Sequence, residues 1–328
     1  MNDPETATNM ESAEIRIRGK TMQVPAVNIC DRNVIATGKF LKLAAVRDED
    51  LVEGETVSDP ALFVSRLKAS GLKADVFSFA QRPPATTPKH NYHFEWDNWA
   101  AITTNDYNAW WEKRLPQESR KNVRRAAKRG VVVRETGFDD TLVQGIQAIY
   151  SETPVRQGRR FWHYGKDFAT VKMENATYLS RSVFVGAYFG EVLIGFIKYI
   201  QVDGVAMLIQ ILTKNEHHDK RPMNALLAHT VELCCRKRLS FLVYGQYVYG
   251  TKQNSSLTEF KRRNGFEEVR FPRYYIPLNL KGRLAVGSGL HLGVRNIIPR
   301  PINDLLLKAR DYYCRAVYQP ANAAGQDS

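Results

Sequence analysis

The chain has 328 residues, which is enough for roughly two domains, and 44% of them are hydrophobic, as in an ordinary globular protein. The formal net charge of +13 favours anionic partners such as coenzyme phosphates, RNA or an acidic lipid surface. No apolar run approaches the roughly 18 residues of a membrane span. The four cysteines include no CxxC pair, so they signal neither a zinc knuckle nor a disulfide framework.

The acidic N-terminus carries no apolar segment of a secretory signal, so we predict a cytoplasmic protein. Residues 1–13 are expected to form a disordered tail, followed by a domain over residues 14–104. That domain alternates strand patterns (EIRIR, MQVPAVNI, KFLKLAAV, DVFSFAQ, YHFEW, WAAIT) with one helix, DPALFVSRLKASG. Asp59 can cap this helix, Pro60 suits its first turn, and Gly71 ends it.

A second domain is predicted over residues 105–280, and it opens with the helix patterns DYNAWWEKRL and PQESRKNVRRAAKR. Gly130 ends the second helix. Six cations cover one half of that helix, opposite a narrow apolar seam. They are Arg120, Lys121, Arg124, Arg125, Lys128 and Arg129. This face is typical of a phosphate- or RNA-binding surface, and an ordinary solvated helix face is an equally open alternative.

A polar and aromatic segment, VRQGRRFWHYGKDF, follows a strand pattern (VVVRE) and a helix pattern (DDTLVQGIQAIYSETP). Its Arg, Trp, His and Tyr side chains offer fixed hydrogen-bond donors beside stacking faces, so we expect it to form a substrate wall. The alternative is a loop whose aromatic side chains only hold it against its own domain.

The stretch from Val183 to Phe271 has the order strand, strand, helix, strand, helix, strand, which predicts an α/β unit built around a central crossover. Its strand patterns are SVFVGAYFGEV, LIGFIKYIQVDGVAMLIQILTK, LSFLVYG and FEEVRF. Its helix patterns are RPMNALLAHTVELCCRKR and NSSLTEFKRRNG. The predicted fold class is therefore α/β, with a mixed sheet of the α+β kind.

The chain changes character after this unit. Residues 281–318 are predicted to be a Gly-rich basic linker followed by an amphipathic helix, INDLLLKARDYYCRAVY, and residues 319–328 a tail. Docking of this helix on its own domain is our first interpretation. Contact with an anionic membrane is the alternative, which would place the protein at the inner face of the membrane as a peripheral component.

Several catalytic motifs are absent from the sequence: it has no GxGxxG after a strand, no GxxxxGK[ST] and no GxSxG. His90 with His93, and the adjacent His217 and His218, lack a third ligand at metal spacing, and the acidic triplet at 48–50 is a weak match to a metal-binding DxD. We therefore predict chemistry without a metal or a bound cofactor, in which a substrate amine attacks an activated acyl group directly. Such a reaction needs a positioned donor, a base, and hydrogen-bond donors for the developing oxyanion.

Three segments resemble the GNAT superfamily of N-acyltransferases, in the branch related to the Fem (FemAB-like) peptidoglycan aminoacyltransferases. KNVRRAAKRGVVVRE is similar to the basic helix and strand that open the second Fem domain. HHDKRPMNALLAHTVELCCRKRLSFLVYG is similar to the basic turn, main helix and following strand, and FKRRNGFEEV to the closing helix and strand with their Gly-Phe pair. The resemblance covers about residues 108–277 and implies two GNAT-like domains, of which the N-terminal one is degenerate.

The resemblance implies that the turn before the main helix binds the phosphates of an acyl donor. A helix that begins at Arg221–Pro222 presents free N–H groups and a positive dipole end there. The residues expected to bind the donor are Thr213, Lys214, His218, Lys220, Arg221 and Asn224. The turn lacks the glycines of the RxxGxG/A pattern of acetyl-CoA enzymes, so acyl-CoA and aminoacyl-tRNA both stay open as co-substrates.

In GNAT folds the two central strands splay, and on this chain those strands would be Ile211–Lys214 and Leu242–Gly245. With the polar and aromatic segment, the residues expected to bind the acceptor are Arg156, Arg159, Trp162, His163, Tyr164, Gln210 and Gln246. Tyr247 or Tyr249 is the candidate proton donor to the leaving group, and Glu216 is the candidate base.

The first hypothesis for function is an N-acyltransferase that moves an acyl group onto an amine of a cell-envelope or polysaccharide precursor. A Fem-like transferase that uses aminoacyl-tRNA is the alternative, and a non-catalytic scaffold at the membrane surface is a rival of a different class. The expected partners are an anionic donor, CoA-linked or tRNA-linked, and an amine acceptor; DNA is not expected.

Overall fold

The computed structural model describes residues 10–17, 20–156, 158–250 and 255–293. Fourteen β-strands and eight α-helices form within these ranges. The strands are β1 (Glu11–Ile17), β2 (Lys20–Ile29), β3 (Arg32–Thr37), β4 (Leu43–Val46), β5 (Val76–Ala80), β6 (Phe94–Thr103), β7 (Val131–Thr136), β8 (Val155–Arg156), β9 (Arg159–Arg160), β10 (Ser182–Phe189), β11 (Val192–Val202), β12 (Val205–Thr213), β13 (Phe241–Val243) and β14 (Glu267–Pro277). The helices are α1 (Pro60–Ala69), α2 (Tyr107–Ala109), α3 (Gln117–Lys128), α4 (Asp140–Tyr150), α5 (Phe168–Asn175), α6 (Pro222–Arg236), α7 (Ser256–Arg263) and α8 (Leu280–Gly287).

Twelve of these strands form one sheet in the order β1-β2-β3-β4-β5-β14-β6-β13-β12-β11-β10-β7, while β8 and β9 form a separate hairpin. Neighbouring strands in the sheet are antiparallel except for two parallel pairs, β4 with β5 and β12 with β13. Because parallel strands need a crossover connection, a helix joins the members of each pair, α1 in the first half and α6 in the second. The predicted α/β class with a mixed sheet is confirmed.

The last strand, β14, inserts between β5 and β6 and thereby joins the two halves. It pairs with β5 over Arg273–Pro277 and with β6 over Glu267–Tyr274. On its other side, β6 pairs with β13 through Ala101–Thr103. The sheet is therefore continuous across the domain boundary that we placed between residues 104 and 105, and that boundary stays a prediction.

Helix α1 forms where the sequence predicts it. The side chain of Asp59 accepts a hydrogen bond from the Leu62 N–H at 3.0 Å and caps the helix, and Pro60 is its first residue. Phe63 and Leu67 are buried in the core between α1 and the sheet, which is worth about 1.5–3 kcal/mol for each side chain.

Helices cover both faces of the sheet in the second half. On one face, α6 buries Leu226 and Val231 in a core that also receives Ala126 of α3. On the other face, α4 and α5 pack over the sheet with Ile146 and Phe196 in the core between them. The second half therefore has three layers, with helices on both faces of the sheet.

Several strand bounds differ from the sequence-based predictions. The run LIGFIKYIQVDGVAMLIQILTK forms two strands, β11 and β12, because Asp203 (φ 45°) and Gly204 (φ 75°) make a tight turn in its middle. YHFEW and WAAIT contribute instead to one strand, β6, and RNVIAT forms β3, which we did not predict. KFLKLAAV contributes only Leu43–Val46 to β4, and β1 begins at Glu11, inside the predicted tail.

The predicted basic linker begins with a helix, α8. The side chain of Asn279 caps it by accepting a hydrogen bond from the Gly282 N–H at 2.8 Å. A Cβ on Gly282 would lie 1.9 Å from the carbonyl oxygen of Asp75, so this glycine permits close packing of α8 on the first half. The glycine-rich composition that predicted a linker therefore reflects, at this position, a tight helix contact.

No helix among the described residues is long and apolar enough to cross a bilayer. The amphipathic helix predicted over residues 302–318, the tail at 319–328 and most of the tail at 1–13 lie outside the described residues.

Candidate functional site

The parallel strands β12 and β13 diverge after a short contact and leave a cleft between them. They pair only over Val205–Met207 and Phe241–Val243. Beyond this contact β12 carries a bulge at Ile209, and a bulge bends its strand. The chain after β13 follows β6 instead, with the Tyr244 N–H donating to the carbonyl of Ala100 at 2.8 Å. The predicted pair of central strands therefore splays.

A cavity of about 590 Å³ lies in this cleft, a volume within the range of small-molecule sites. The end of β12, the start of α6, the chain after β13, helix α7 and the β8–β9 hairpin contribute to its walls. The lining side chains with most relevance to chemistry are Arg156, Phe161, Thr213, His218, Tyr244 and Phe260. The cavity is thus amphipathic: Arg156, Thr213 and His218 supply polar groups, and Phe161, Tyr244 and Phe260 supply aromatic rings.

A second cavity, of about 630 Å³, lies between α3, α6 and α7. The two share His218, Met223 and Phe260 as lining residues. Three arginines and one glutamate also line the second cavity, which we call the basic groove. They are Arg221, Arg262, Arg263 and Glu118. The cleft and the basic groove therefore adjoin each other, and we refer to the two together as the channel.

The N-terminus of α6 faces this channel without a side-chain cap. Its N-cap residue, Arg221, has a positive φ of 58°, and Pro222 offers no N–H. The Nε atom of Arg221 is buried and has no hydrogen-bond partner among the residues that the structure describes. An uncapped helix start beside an unsatisfied guanidinium donor is suited to an anion.

Four of the six residues predicted to bind the donor line the channel. They are Thr213 and His218 in the cleft, and His218, Arg221 and Asn224 in the basic groove. Asn224 donates from Nδ2 to Asn264 Oδ1 at 3.3 Å, so α6 and α7 are bridged at the groove floor. The sequence segment 213–224 therefore supplies one wall of the channel.

Lys214 and Lys220 line neither cavity. The ammonium of Lys214 lies 3.5 Å from the carboxylate of Glu216. That of Lys220 lies 3.5 Å from Asp219 and stands 4.9 Å above the Phe189 ring. Both lysines raise the local positive charge, but their ammonium groups are engaged beside the channel.

Among the predicted acceptor residues, Arg156 lies in the cleft wall. Its Nη1 donates to the carbonyl of Thr213 at 2.9 Å, and its Nη2 donates to the Glu152 carboxylate at 3.0 Å. Burial lowers the pKa of Arg156, and Glu152 opposes this shift. Arg156 therefore ties the β8–β9 hairpin to the end of β12 and narrows the cleft.

His163 and Gln210 form a buried polar cluster with Tyr150. Gln210 Nε2 donates to the Tyr150 hydroxyl at 2.6 Å and lies 3.3 Å from Nε2 of His163. Burial raises the pKa of Tyr150 to about 12. The sequence therefore predicted two members of this cluster and missed the third, because Tyr150 follows an ordinary helix pattern at the end of α4.

The other predicted acceptor residues lie away from the cavity. Trp162 and Tyr164 are 52% and 47% exposed, and Arg159 is exposed on β9. Gln246 donates to the Asp97 carboxylate at 2.9 Å, within a network where Arg273 binds Asp97 as well, at 2.8 Å. Of the seven predicted acceptor residues, Arg156 alone lines the cleft among the described residues. His163 and Gln210 meet in the buried cluster, and the ring of Trp162 lies 3.6 Å from that of His163.

The predicted catalytic residues also lie outside the lining of the cleft. Glu216 has a side chain that is 60% exposed and lies 3.1 Å from His217. Tyr247 packs at the edge of the core, and Tyr249 is 42% exposed. Tyr244 is the tyrosine in the cavity wall, and burial raises its pKa to about 12. Its phenol therefore keeps its proton at neutral pH and can donate a hydrogen bond.

Lys261 supports the chain segment after β13, which carries Tyr244; we call this segment the aromatic wall of the cleft. It is fully buried, and its ammonium donates to the carbonyl of Gln246. The same ammonium lies 5.0 Å from the ring of Tyr244 and 4.7 Å from that of Tyr249. Burial lowers the pKa of Lys261 to about 8. We did not single out Lys261 from the sequence, because FKRR has the appearance of a solvated basic helix end.

Helix α3 carries the predicted cationic face, and it borders the basic groove through Ser119 and Asn122. Two of its six cations are engaged, Arg120 with Glu112 at 2.7 Å and Arg129 with Asp219 at 3.2 Å. The other four are exposed and form no ion pair within the described part of the chain. They are Lys121, Arg124, Arg125 and Lys128.

One group of potential metal ligands lies outside the channel, at the start of β6. It consists of His93, Glu95 and His291. His93 has no third ligand at metal spacing in the sequence, and the fold brings His291 to it from a distant part of the chain. Among the described residues no comparable group lies in the cleft or the basic groove.

Comparison with known proteins supports the architecture rather than a particular substrate. No protein-family model and no curated protein sequence matches the chain. FemX is similar in structure, with a TM-score of 0.54 and 9% identity over 85% of this chain and 90% of that one. L-PGS from Bacillus licheniformis is similar with a TM-score of 0.51 and 11% identity over 82% and 88% of the two chains. The chain has a GNAT-like fold of the Fem type. The resemblance given by its sequence segments is therefore confirmed at the level of the fold.

Proposed function

We propose that this protein is an N-acyltransferase in which an amine attacks an activated acyl group held in the channel between β12, β13 and α6. The observation that carries the proposal is an amphipathic cleft that adjoins a cationic groove at an uncapped helix start. An activated acyl donor has the same division, with an anionic end that needs cations and a reactive arm that needs an enclosed site.

The donor would bind with its phosphates in the basic groove. Arg221, Arg262 and Arg263 supply positive charge there, and the α6 N-terminus adds its dipole. Arg262 and Arg263 share the carboxylate of Glu259, which lies 2.8 and 2.5 Å from them. Exposed ion pairs of this kind contribute little to stability, so a phosphate can compete with Glu259 for both guanidinium groups.

The acyl arm would then extend past Thr213 into the cleft. Attack by the amine forms a C–N bond, and the carbonyl oxygen develops negative charge until the bond to the leaving atom breaks. The Tyr244 phenol can donate a hydrogen bond to that oxygen or to the leaving atom. His218 lines both cavities and is an imidazole, the side chain best suited to accept the proton of the amine near neutral pH. Glu216 stays a candidate base on sequence grounds.

The acceptor class proposed is an amine of a cell-envelope or polysaccharide precursor, entering beside Arg156. The guanidinium of Arg156 already holds Glu152 and the Thr213 carbonyl, so its main contribution would be to shape the cleft. The rings of Tyr150 and His163 pack against Phe161 of the cleft wall, so the buried cluster would support that wall.

Calorimetric titration of the full chain with acetyl-CoA, a long-chain acyl-CoA and aminoacyl-tRNA tests the proposal. We expect saturable binding of at least one donor. The paired change Arg262→Glu with Arg263→Glu should weaken it at least tenfold, because two groove cations are lost. Arg270→Glu with Arg283→Glu changes the net charge equally at exposed positions outside the groove and should leave binding nearly unchanged. Absence of saturable binding to every donor would refute the proposal.

A donor carried on tRNA is the alternative form of this function, and one observation favours it. Helix α3 borders the basic groove through Ser119 and Asn122, and it exposes four further cations that could contact a ligand larger than the groove itself. Charge reversal at Arg124 and Arg125 should abolish activity with aminoacyl-tRNA and spare turnover of acyl-CoA. Equal loss with both donors would argue against a separate role for α3.

A further inference from the structure

Two of the three potential metal ligands come from one short segment. His93 precedes β6 and Glu95 lies within it, and residues two apart on an extended chain project to the same side. Their side chains meet, with Nε2 of His93 3.2 Å from Oε1 of Glu95. His93 is the one ion-pair partner of Glu95 among the described residues.

The neighbouring strand, β14, does not neutralise the negative charge of Glu95. Arg273 is the residue paired with Glu95 across β6 and β14. Its guanidinium is engaged elsewhere, with Asp97 and Glu49 at 2.8 Å each. The Glu95 carboxylate is therefore left to face His93 and whatever approaches from the far side of the pair.

The residue that approaches is His291, which follows α8. Its Nδ1 lies 3.3 Å from the carbonyl of Ala285, so Nδ1 carries the ring proton and donates it there. This leaves Nε2 with its lone pair free, and that atom is buried without a hydrogen-bond partner in the described ranges. The ring is fixed by Tyr275, whose centroid lies 4.4 Å away. Metal-binding histidines characteristically show this arrangement, with one nitrogen held by a backbone carbonyl.

The three ligand atoms lie within 4.8 Å of one another. Bonds of about 2.0–2.2 Å in a tetrahedral site separate ligand atoms by roughly 3.3 Å. The rings of His93 and His291 are 5.4 Å apart and meet edge to face. Rotation of the exposed His93 side chain and of Glu95 toward the fixed His291 ring would bring the three ligand atoms closer.

We propose that His93, Glu95 and His291 bind one transition-metal ion, with Zn²⁺ as the preferred ion and a water in the fourth position. Two imidazoles and one carboxylate favour zinc over the oxygen-seeking Mg²⁺ and Ca²⁺. The site lies apart from the channel, so its role is to fasten the segment after α8 to the start of β6. A ligand set that spans from residue 93 to residue 291 exists only in the folded chain, so the metal stabilises that state.

The test is calorimetric titration of the chelator-treated full chain with Zn²⁺, together with thermal unfolding in the presence and absence of the ion. We expect one equivalent to bind and to raise the unfolding midpoint. His93→Ala and His291→Ala should each weaken binding at least tenfold, and Glu95→Gln is the mildest change to the site. His229→Ala removes a histidine of α6 that pairs with Glu232 and serves as the matched control.

Spectroscopy of the Co²⁺-substituted protein gives a readout that a purely structural role of these side chains would not produce. Tetrahedral cobalt with two imidazole ligands absorbs strongly in the visible region, and the band should disappear in His291→Ala and persist in His229→Ala. Unfolding midpoints of all variants without metal establish that each is folded. Zn²⁺ binding of equal strength in the native chain, Glu95→Gln and His291→Ala, or no binding at all, would overturn the proposal.

Discussion

Two buried lysines, Lys198 and Lys261, give the sharpest prediction about pH and stability. Lys198 is 1% exposed and Lys261 is fully buried, and neither forms an ion pair within the described ranges. The ammonium of Lys198 donates to the carbonyls of Asn175 and Thr177 at 2.8 and 2.7 Å. Burial lowers the pKa of each lysine from its ordinary 10.5 to about 8, because the charged form loses solvation that neutral acceptors replace only in part.

The sign of the effect follows from proton binding. Between pH 8 and 10.5 the unfolded chain holds a proton on Lys198 that the folded chain has released, so this side chain makes stability rise with pH in that window. Below pH 8 Lys198 is protonated in both states, and the destabilisation of the folded chain by this buried charge is present in full. At 1.36 kcal/mol per pH unit, the penalty is at most about 3 kcal/mol, and residual solvent screening reduces it further.

Replacement of Lys198 by methionine isolates this contribution. Lys198→Met removes the penalty but leaves two buried carbonyls without a donor, each costing about 1–3 kcal/mol, so its stability at one pH does not discriminate. The discriminating quantity is how the difference in unfolding free energy between the native chain and the variant changes with pH. Urea unfolding at pH 7.5 and pH 10 should show this difference moving in favour of the native chain by about 2–3 kcal/mol. A difference that is constant with pH would refute the lowered pKa.

Lys261→Met is the companion variant, because the two lysines share burial and pKa but differ in location. We expect a similar pH dependence of its stability. Because Lys261 holds the chain after β13 in place through Gln246, this variant should also reduce transfer activity, whereas Lys198→Met should change activity little. Equal activity in both variants would mean that the aromatic wall of the cleft does not depend on Lys261.

Three further predictions concern the channel and its support. Gly195→Ala should lower the free energy of unfolding by about 1–3 kcal/mol and weaken donor binding, because the new Cβ would lie 2.6 Å from Cγ2 of Thr213. Gly137→Ala, with nothing within 4 Å, is the matched control for urea unfolding and titration. Asp97→Ala should cost up to about 3 kcal/mol, because Arg273 keeps only Glu49 in the buried network; an unchanged urea midpoint would contradict this. Donor affinity should fall as salt rises, because groove cations are screened, and calorimetry showing a salt-independent dissociation constant would argue against phosphate contacts.

Local signals in the sequence were sufficient for most helices and strands. The Asp59–Pro60 start of α1 and the apolar stripe of α6 act within one element, and both helices form as predicted. The insertion of β14 between β5 and β6 was not predictable from the same signals. It depends on which edges are free once two halves have folded, and a strand pattern carries no information about its neighbour.

The candidate site likewise has one part that local sequence signals predicted and another that depends on contacts between distant segments. Thr213, His218, Arg221 and Asn224 lie within one turn of chain, so recognising that turn located all four in the channel. The opposite wall is built by contacts between distant segments, such as α7 against the start of α6. Arg262 and Arg263 were visible only as a basic helix end, and Glu216 lies near the right turn but points to His217. Sequence proximity predicted position, and it did not predict side-chain direction.

The two halves of the sheet repeat one arrangement but differ where their crossover helices begin. In each half a parallel strand leads through a short 3-10 turn into a helix whose first residue is proline, Pro60 in α1 and Pro222 in α6. Asp59 caps α1 with its own carboxylate, whereas Arg221 leaves α6 without a side-chain cap.

The anion position of the first half is therefore filled by the chain itself. The 3-10 turn before α1 carries Glu49, whose carboxylate accepts the Ala80 N–H at 2.7 Å and binds Arg273 at 2.8 Å. Burial also raises the pKa of Glu49 against the opposing effect of Arg273, so this carboxylate is enclosed within the first half. Within the described residues, the anion site that we propose at α6 therefore has no counterpart at α1, and the first half completes the sheet through β6 and pairs with β14.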